Sequence, residues 1–208
     1  MIKWAWDAFK PHWQMAVGVT AVFFLMQMGI GMVAGLFPAK PEQGALLWLV
    51  GTIVTFVLSS LSSIGMLSFA LRMHDAPEEV LVGDLWNPSP LWRYIGASLF
   101  SGVIVMVGFV LLVVPGIIAM LMLMFATLLV IDRTLSPVAA LKESARITTG
   151  YRWQLLWLVI LVALLNLLGA LAFMVGLLIT VPVSYLAVTH AYRTLATRAD
   201  AVAQVERA

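Results

Sequence analysis

The stretch Tyr94–Ile131, YIGASLFSGVIVMVGFVLLVVPGIIAMLMLMFATLLVI, runs for 38 residues without a charged side chain. As one helix it is roughly 57 Å long, nearly twice the thickness of a bilayer's hydrocarbon core. Pro115-Gly116 falls near its middle, and Pro-Gly is a strong turn pair. The stretch therefore reads as two spans joined by a hairpin turn around Val113–Gly116.

The neighbouring uncharged stretches extend the pattern. Met15–Phe37 and Ala45–Leu71, of 23 and 27 residues, each fit one tilted span. Trp153–Thr189, with 37 residues, is again too long for one, and its best break lies around Gly169–Gly176. Pro182 is expected to kink the last helix without ending it. The sequence thus predicts an all-α, polytopic membrane protein forming a single transmembrane domain over residues 1–208. Its six transmembrane helices, arranged as three hairpins, lie at about 15–37, 46–71, 93–113, 116–133, 153–170 and 174–194.

Composition agrees. Of 208 residues, 62% are hydrophobic and 11% charged, and the mean hydropathy is +1.03. Soluble domains sit nearer 45–50% apolar and about 25% charged. An ordinary soluble enzyme and a disordered chain are both excluded. The net charge of +2 comes from scattered residues, so no phosphate footprint forms and nucleic acid is not a partner. The absence of cysteine excludes disulfides, thiolate metal sites and cysteine catalysis. Asp7 and Pro11 precede an apolar run too long for a signal peptide.

Charge placement tests the span count. With six spans and the N-terminus inside, Lys3, Lys10, Arg72, Arg93, Arg133, Lys142, Arg146, Arg152, Arg193, Arg198 and Arg207 lie inside, 11 against Lys40 alone outside. A four-span arrangement moves residues 133–152 outside and gives 7 against 5. The positive-inside rule favours six spans, with both termini cytoplasmic. Trp4, Trp6, Trp13, Trp86, Trp92, Trp153, Tyr94, Tyr151 and Tyr192 cluster at the same boundary, and Trp48 marks the outer one.

Each hairpin is entered through a similar aromatic-basic step: His12-Trp13-Gln14, Trp92-Arg93-Tyr94, and Tyr151-Arg152-Trp153-Gln154. These are anchors any hairpin needs at a positive boundary, or else the mark of three repeated units. Interfacial helices are expected over 2–10, with Ile2, Trp6, Phe9 and Trp13 at helical spacing, and over 137–149. The second starts at the N-cap and N1 pair Ser136-Pro137 and stops at Gly150. Its Lys142 and Arg146, with Arg152 and Trp153, form the candidate contact for the anionic inner leaflet or for a membrane or cytoplasmic protein partner.

Candidates for chemistry are few. All 25 Asp, Glu, Lys, Arg and His residues lie outside the four apolar stretches, which argues against proton pumping and intramembrane proteolysis. Ser59, Ser60, Ser62 and Ser63 read as a small-sided packing face, or alternatively as the wall of a polar cavity. Gln27 and Asn166 are expected to bond between helices, with contact to a ligand or cavity as the lesser alternative. Gly31-x-x-x-Gly35, and Gly96 through Gly102, read as packing faces and leave a homo-oligomer open. Met120, Met122 and Met124 suit adaptable packing better than copper. His12, His74 and His190 show no ligand spacing. The acidic group Asp75, Glu78, Glu79 and Asp84 reads as a solvated face, with Mg²⁺ or Ca²⁺ as the lesser alternative. No cofactor is implied.

The second half carries a family pattern: Val114-Pro115-Gly116-Ile117-Ile118; Phe125-Ala126 through Val130-Ile131-Asp132; Leu135-Ser136-Pro137; Ala140-Leu141-Lys142-Glu143-Ser144; and Gly150-Tyr151-Arg152-Trp153 through Pro182, Tyr185-Leu186-Ala187 and Ala191-Tyr192-Arg193. It resembles a group of uncharacterised bacterial integral-membrane proteins similar to the membrane domain of some glycerophosphoryl diester phosphodiesterases. The resemblance covers roughly Tyr94–Leu195 and implies a helical membrane module. It transfers no catalytic residue, since in those fusions the chemistry belongs to the soluble domain. The expectation is a non-enzymatic scaffold, anchor or regulator of envelope or lipid processes. The alternative is a transporter or exporter of a small apolar or lipid-like molecule, with a cavity near Ser59–Ser63 and Asn166.

Overall fold

The computed structural model describes residues 2–76, 91–172 and 175–205. Its helices are α1 (Ile2–Phe9), α2 (Trp13–Ala34), α3 (Ala45–Asp75), α4 (Leu91–Leu111), α5 (Val113–Leu123), α6 (Ala126–Arg133), α7 (Pro137–Thr148), α8 (Arg152–Leu171) and α9 (Leu177–Val205). Among the described residues there is no strand. Among the described residues, five segments are long and apolar enough to cross a membrane: Ile2–Ala34, Ala45–Asp75, Leu91–Leu111, Val113–Arg133 and Arg152–Leu171. The helix α9, expected as a sixth, does not join them on composition. It carries Ser184, Thr189, His190, Arg193 and Arg198, and it packs against α1, α2, α3, α7 and α8.

The 38-residue stretch is broken at Leu112, whose backbone is extended at φ −169° and ψ 155°. Pro115 and Gly116, expected to form the turn, lie instead within the first residues of α5. A proline costs little there, because the first N–H groups of a helix have no intrahelical acceptor. Gly116 serves close packing. A methyl group on it would meet the Phe109 ring at 2.4 Å, and one on Gly108 would lie 3.0 Å from the Gly116 Cα. Similar glycine contacts recur at the other reversals, where Phe37 lies on Gly51 and Gly169 stands against Gly176. In hydrocarbon, burying leucine against leucine gains little over leucine against lipid, so such close approach carries much of the association.

A second break, at Met124–Phe125, separates α5 from α6. Ser144 of α7 fills it. Its buried hydroxyl donates to the Met122 carbonyl (2.7 Å) and accepts from the Phe125 N–H (3.3 Å). The helix α7 starts where Ser136 Oγ accepts from the Ala139 N–H at 3.4 Å. It ends before Gly150, whose φ of +85° suits glycine. Its residues Ala140, Leu141, Ser144, Ile147 and Thr148 are buried, and Pro137 lies on Gly96. One face of α7 is therefore docked into the bundle.

Burial concentrates toward the charged ends of the helices. Phe69, Leu71 and Met73 of α3, Leu128, Leu129 and Val130 of α6, and Leu186, Ala187, Ala191 and Tyr192 of α9 are buried. The far ends of α2 and α3 expose Met28, Met32, Leu46 and Leu47, as does Leu36 just past α2. Exposed apolar surface on this scale needs a hydrocarbon surround.

Candidate functional site

Among the described residues, two places gather polar side chains from separate helices. The first is a network at the charged end. Asp132, next to last in α6, accepts from the Tyr192 hydroxyl at 2.6 Å. It also takes both terminal nitrogens of Arg193, at 2.9 and 2.8 Å, as a fork. Arg193 reaches on to Asp75 at the end of α3. Asp75 lies 3.1 Å from His74 Nδ1, and His74 Nε2 lies 3.2 Å from His190 Nδ1. Trp4 of α1 stacks on His190, with centroids 4.1 Å apart and planes 12° apart. One chain of contacts thus runs from α1 through α9 and α3 to α6. Beside it is a half-open recess of about 250 Å³, whose polar lining is Ser68, Arg72, Asp75, Asp132 and Arg193.

A second cluster adjoins it. Arg133 pairs with Asp200 at 2.6 Å and lies 3.6 Å from Glu143. Arg146 pairs with Glu143 at 2.6 Å, lies 3.5 Å from Asp200, and donates to the Ala199 carbonyl at 3.3 Å. Hydrogen bonds from Arg146 hold the Glu143 carboxyl below its ordinary range, and a hydrogen bond from Arg133 does the same for Asp200. The Glu143 hydrogen bond raises Arg146. Thr134, which ends α6 in the left-handed region at φ 50°, has its carbonyl held by Arg93 at 2.6 Å. Among the described residues no three His, Asp or Glu side chains stand together as metal ligands. The chemical effect of these clusters is to brace α3, α6, α7 and α9 against one another.

The second place is a cleft of about 300 Å³ between α8 and α9 on one side and α3 and α6 on the other. Asn166 lines it, donating through Nδ2 to the Val162 carbonyl (2.9 Å) and to Ser184 Oγ (2.8 Å). Ser184 in turn donates to the Thr180 carbonyl at 2.6 Å. The amide oxygen of Asn166 is buried and receives no hydrogen bond.

The residues singled out in the sequence fare unevenly. Asn166 bonds between α8 and α9 as expected, whereas Gln27 is exposed on α2. Ser60 and Ser63 bond back to the Phe56 and Ser59 carbonyls on their own helix, Ser60 and Ser62 are buried, and none of the four serines lines the cleft. Space is open around Gly31 and Gly102, so only Gly96 packs against another helix as expected. Of the proposed contact residues, Lys142 and Trp153 are exposed and Arg152 is half-buried, but Arg146 is engaged by Glu143 and Asp200. In α1 it is Trp4 that turns inward, while Trp6 is 43% exposed. The contact between His74 and His190 was missed, because a separation of 116 residues leaves no spacing to read. Trp86, Glu78, Glu79, Asp84 and Arg207 lie outside the described residues.

Fold and site together define a multi-pass helical membrane protein. The chain is 28% identical to uncharacterised proteins of Mycobacterium tuberculosis (strain H37Rv) and Mycobacterium bovis, over 93% of its own length and 67% of theirs. No protein-family model matches it, and no solved structure matches.

Proposed function

We propose that the chain is a non-catalytic protein of the bacterial cytoplasmic membrane that scaffolds, anchors or regulates an envelope or lipid process. In this reading it crosses six times as three hairpins, with both termini in the cytoplasm. The observation that carries it is the use made of charge: Asp75, Asp132, Arg133, Glu143, Arg146, Arg193 and Asp200 engage one another across helices at one end of the bundle. The helix α9 is the sixth span, since a helix whose polar side chains face its neighbours need not be as apolar as one facing lipid. The resemblance to the membrane domain of glycerophosphoryl diester phosphodiesterases belongs to the same proposal. Lys142 and Trp153, both exposed, are the contact for anionic lipid or a protein partner. Crosslinking in native membranes, followed by identification of retained lipid and protein, tests this. Lys142→Gln with Trp153→Ala should reduce what is captured. An unchanged capture sinks the contact surface, and a periplasmic terminus in reporter fusions sinks the topology.

A second reading, a transporter or exporter of a small apolar or lipid-like molecule, is favoured by the cleft at Asn166.

A further inference from the structure

We propose that the cleft at Asn166 binds a membrane-dissolved molecule with an apolar body and one hydroxyl group, the hydroxyl donating to the Asn166 amide oxygen. This rests on the second reading only in that a lipid-like molecule occupies the cleft; movement across the membrane is not required.

The lining fixes the body. Leu67, Met124, Leu128, Val162, Val181 and Val188 surround the cleft, so an alkyl or prenyl chain is matched and a charged ligand is not. The orphaned acceptor fixes the polar group. Both donors of the Asn166 amide are already placed, on Val162 and Ser184, and its oxygen is buried without a partner. Three hydroxyls line the cleft and none supplies the hydrogen: Ser184 spends its own on the Thr180 carbonyl, and neither Thr127 nor Tyr185 bonds to the Asn166 oxygen. At a depth without water, such an acceptor is satisfied by a neighbouring helix or by a ligand.

Depth then excludes the ordinary lipids. Asn166 lies 14 residues along α8 from Arg152, roughly 21 Å, and Ser184 lies 9 residues before Arg193 on α9, roughly 14 Å. Half of a hydrocarbon core is about 15 Å, so the acceptor sits near the bilayer centre. Phospholipids present only methylene and methyl groups there, their hydrogen-bonding groups being held at the surface. A single hydroxyl is far less costly to bring to this level than a charged headgroup, and the hydrogen bond to Asn166 offsets that cost.

The experiment uses the full chain in lipid nanodiscs with two photoactivatable probes, a long-chain alcohol and its methyl ether, and maps labelled residues by mass spectrometry. One hydrogen bond in this setting corresponds to about three- to tenfold more labelling of the cleft by the alcohol. Asn166→Leu should abolish that preference while leaving ether labelling in place. Leu67→Trp, which fills the cleft from α3, should block both probes and guards against an Asn166→Leu variant that fails to fold. Equal labelling by the two probes, or a preference that survives Asn166→Leu, overturns the hydroxyl class yet leaves a lipid-like occupant. Labelling of the outer helix faces with none in the cleft overturns both this proposal and the second reading.

Discussion

Ser144→Ala should destabilise the protein far more than its single lost hydroxyl suggests. The Ser144 hydroxyl is fully buried and holds two backbone groups that the break between α5 and α6 leaves open, the Met122 carbonyl at 2.7 Å and the Phe125 N–H at 3.3 Å. Each buried group left unsatisfied costs about 1–3 kcal/mol, so the pair comes to about 2–6 kcal/mol. Ser136→Ala serves as the internal comparison. It removes the exposed N-cap of the same helix, where the usual cost is about 1 kcal/mol. Equilibrium unfolding in a mild detergent gives both values, and hydrogen exchange localises the effect, since the Phe125 amide should lose protection first. If Ser144→Ala costs no more than Ser136→Ala, and Phe125 stays protected, then the hydroxyl does not hold the break.

Gly116→Val drives a side chain into the Phe109 ring and should cost about 1–3 kcal/mol or prevent folding, whereas Gly31→Ala, with open space around it, should change stability by less than about 0.5 kcal/mol. Thermal unfolding of the two variants side by side checks the contrast. Replacing Thr134 by Asn relieves a β-branched residue at φ 50° and should stabilise by about 0.5–1 kcal/mol, read as a rise in Tm. Glu143 and Asp200 have folded pKa values below their ordinary 4.5 and 3.8, so their contribution is fully present above those values and is lost as pH falls through the lowered ones. Tm should therefore hold steady down to about pH 5 and then fall, and Glu143→Gln with Asp200→Asn should flatten that acid limb.

The helical architecture was legible because hydropathy reports directly on which residues face lipid, and Pro115-Gly116 showed that Tyr94–Ile131 had to divide. The point of division was less legible. Pro-Gly reads as a turn on local rules, and those rules do not register that Gly116 is needed by Phe109 and Gly108 once the helices fold back. The same limit hid the Trp4, His74 and His190 contact and the Asp132 fork, whose members come from helices far apart in sequence. Ser144 was not legible as the partner of a broken helix, since the break itself is a tertiary event. Asn166 was legible because an amide amid apolar residues is costly wherever it lands. Gln27 gave the same signal and yet faces outward.

The reversal at Leu112 has a consequence for how the chain enters a membrane. Val110, Leu111, Leu112, Val113 and Val114 form its apex, each 63–81% exposed and none polar. The backbone there is partly closed by the Leu112 N–H on Gly108 and the Gly116 N–H on Leu112, while Pro115 has no N–H to satisfy. Most helical hairpins must draw a hydrophilic loop through the hydrocarbon as they insert. On the hairpin topology proposed above, this pair has none, so α4 and the α5–α6 rod enter together from the side that keeps Arg93 and Arg133, with no polar side chain at the apex to carry across.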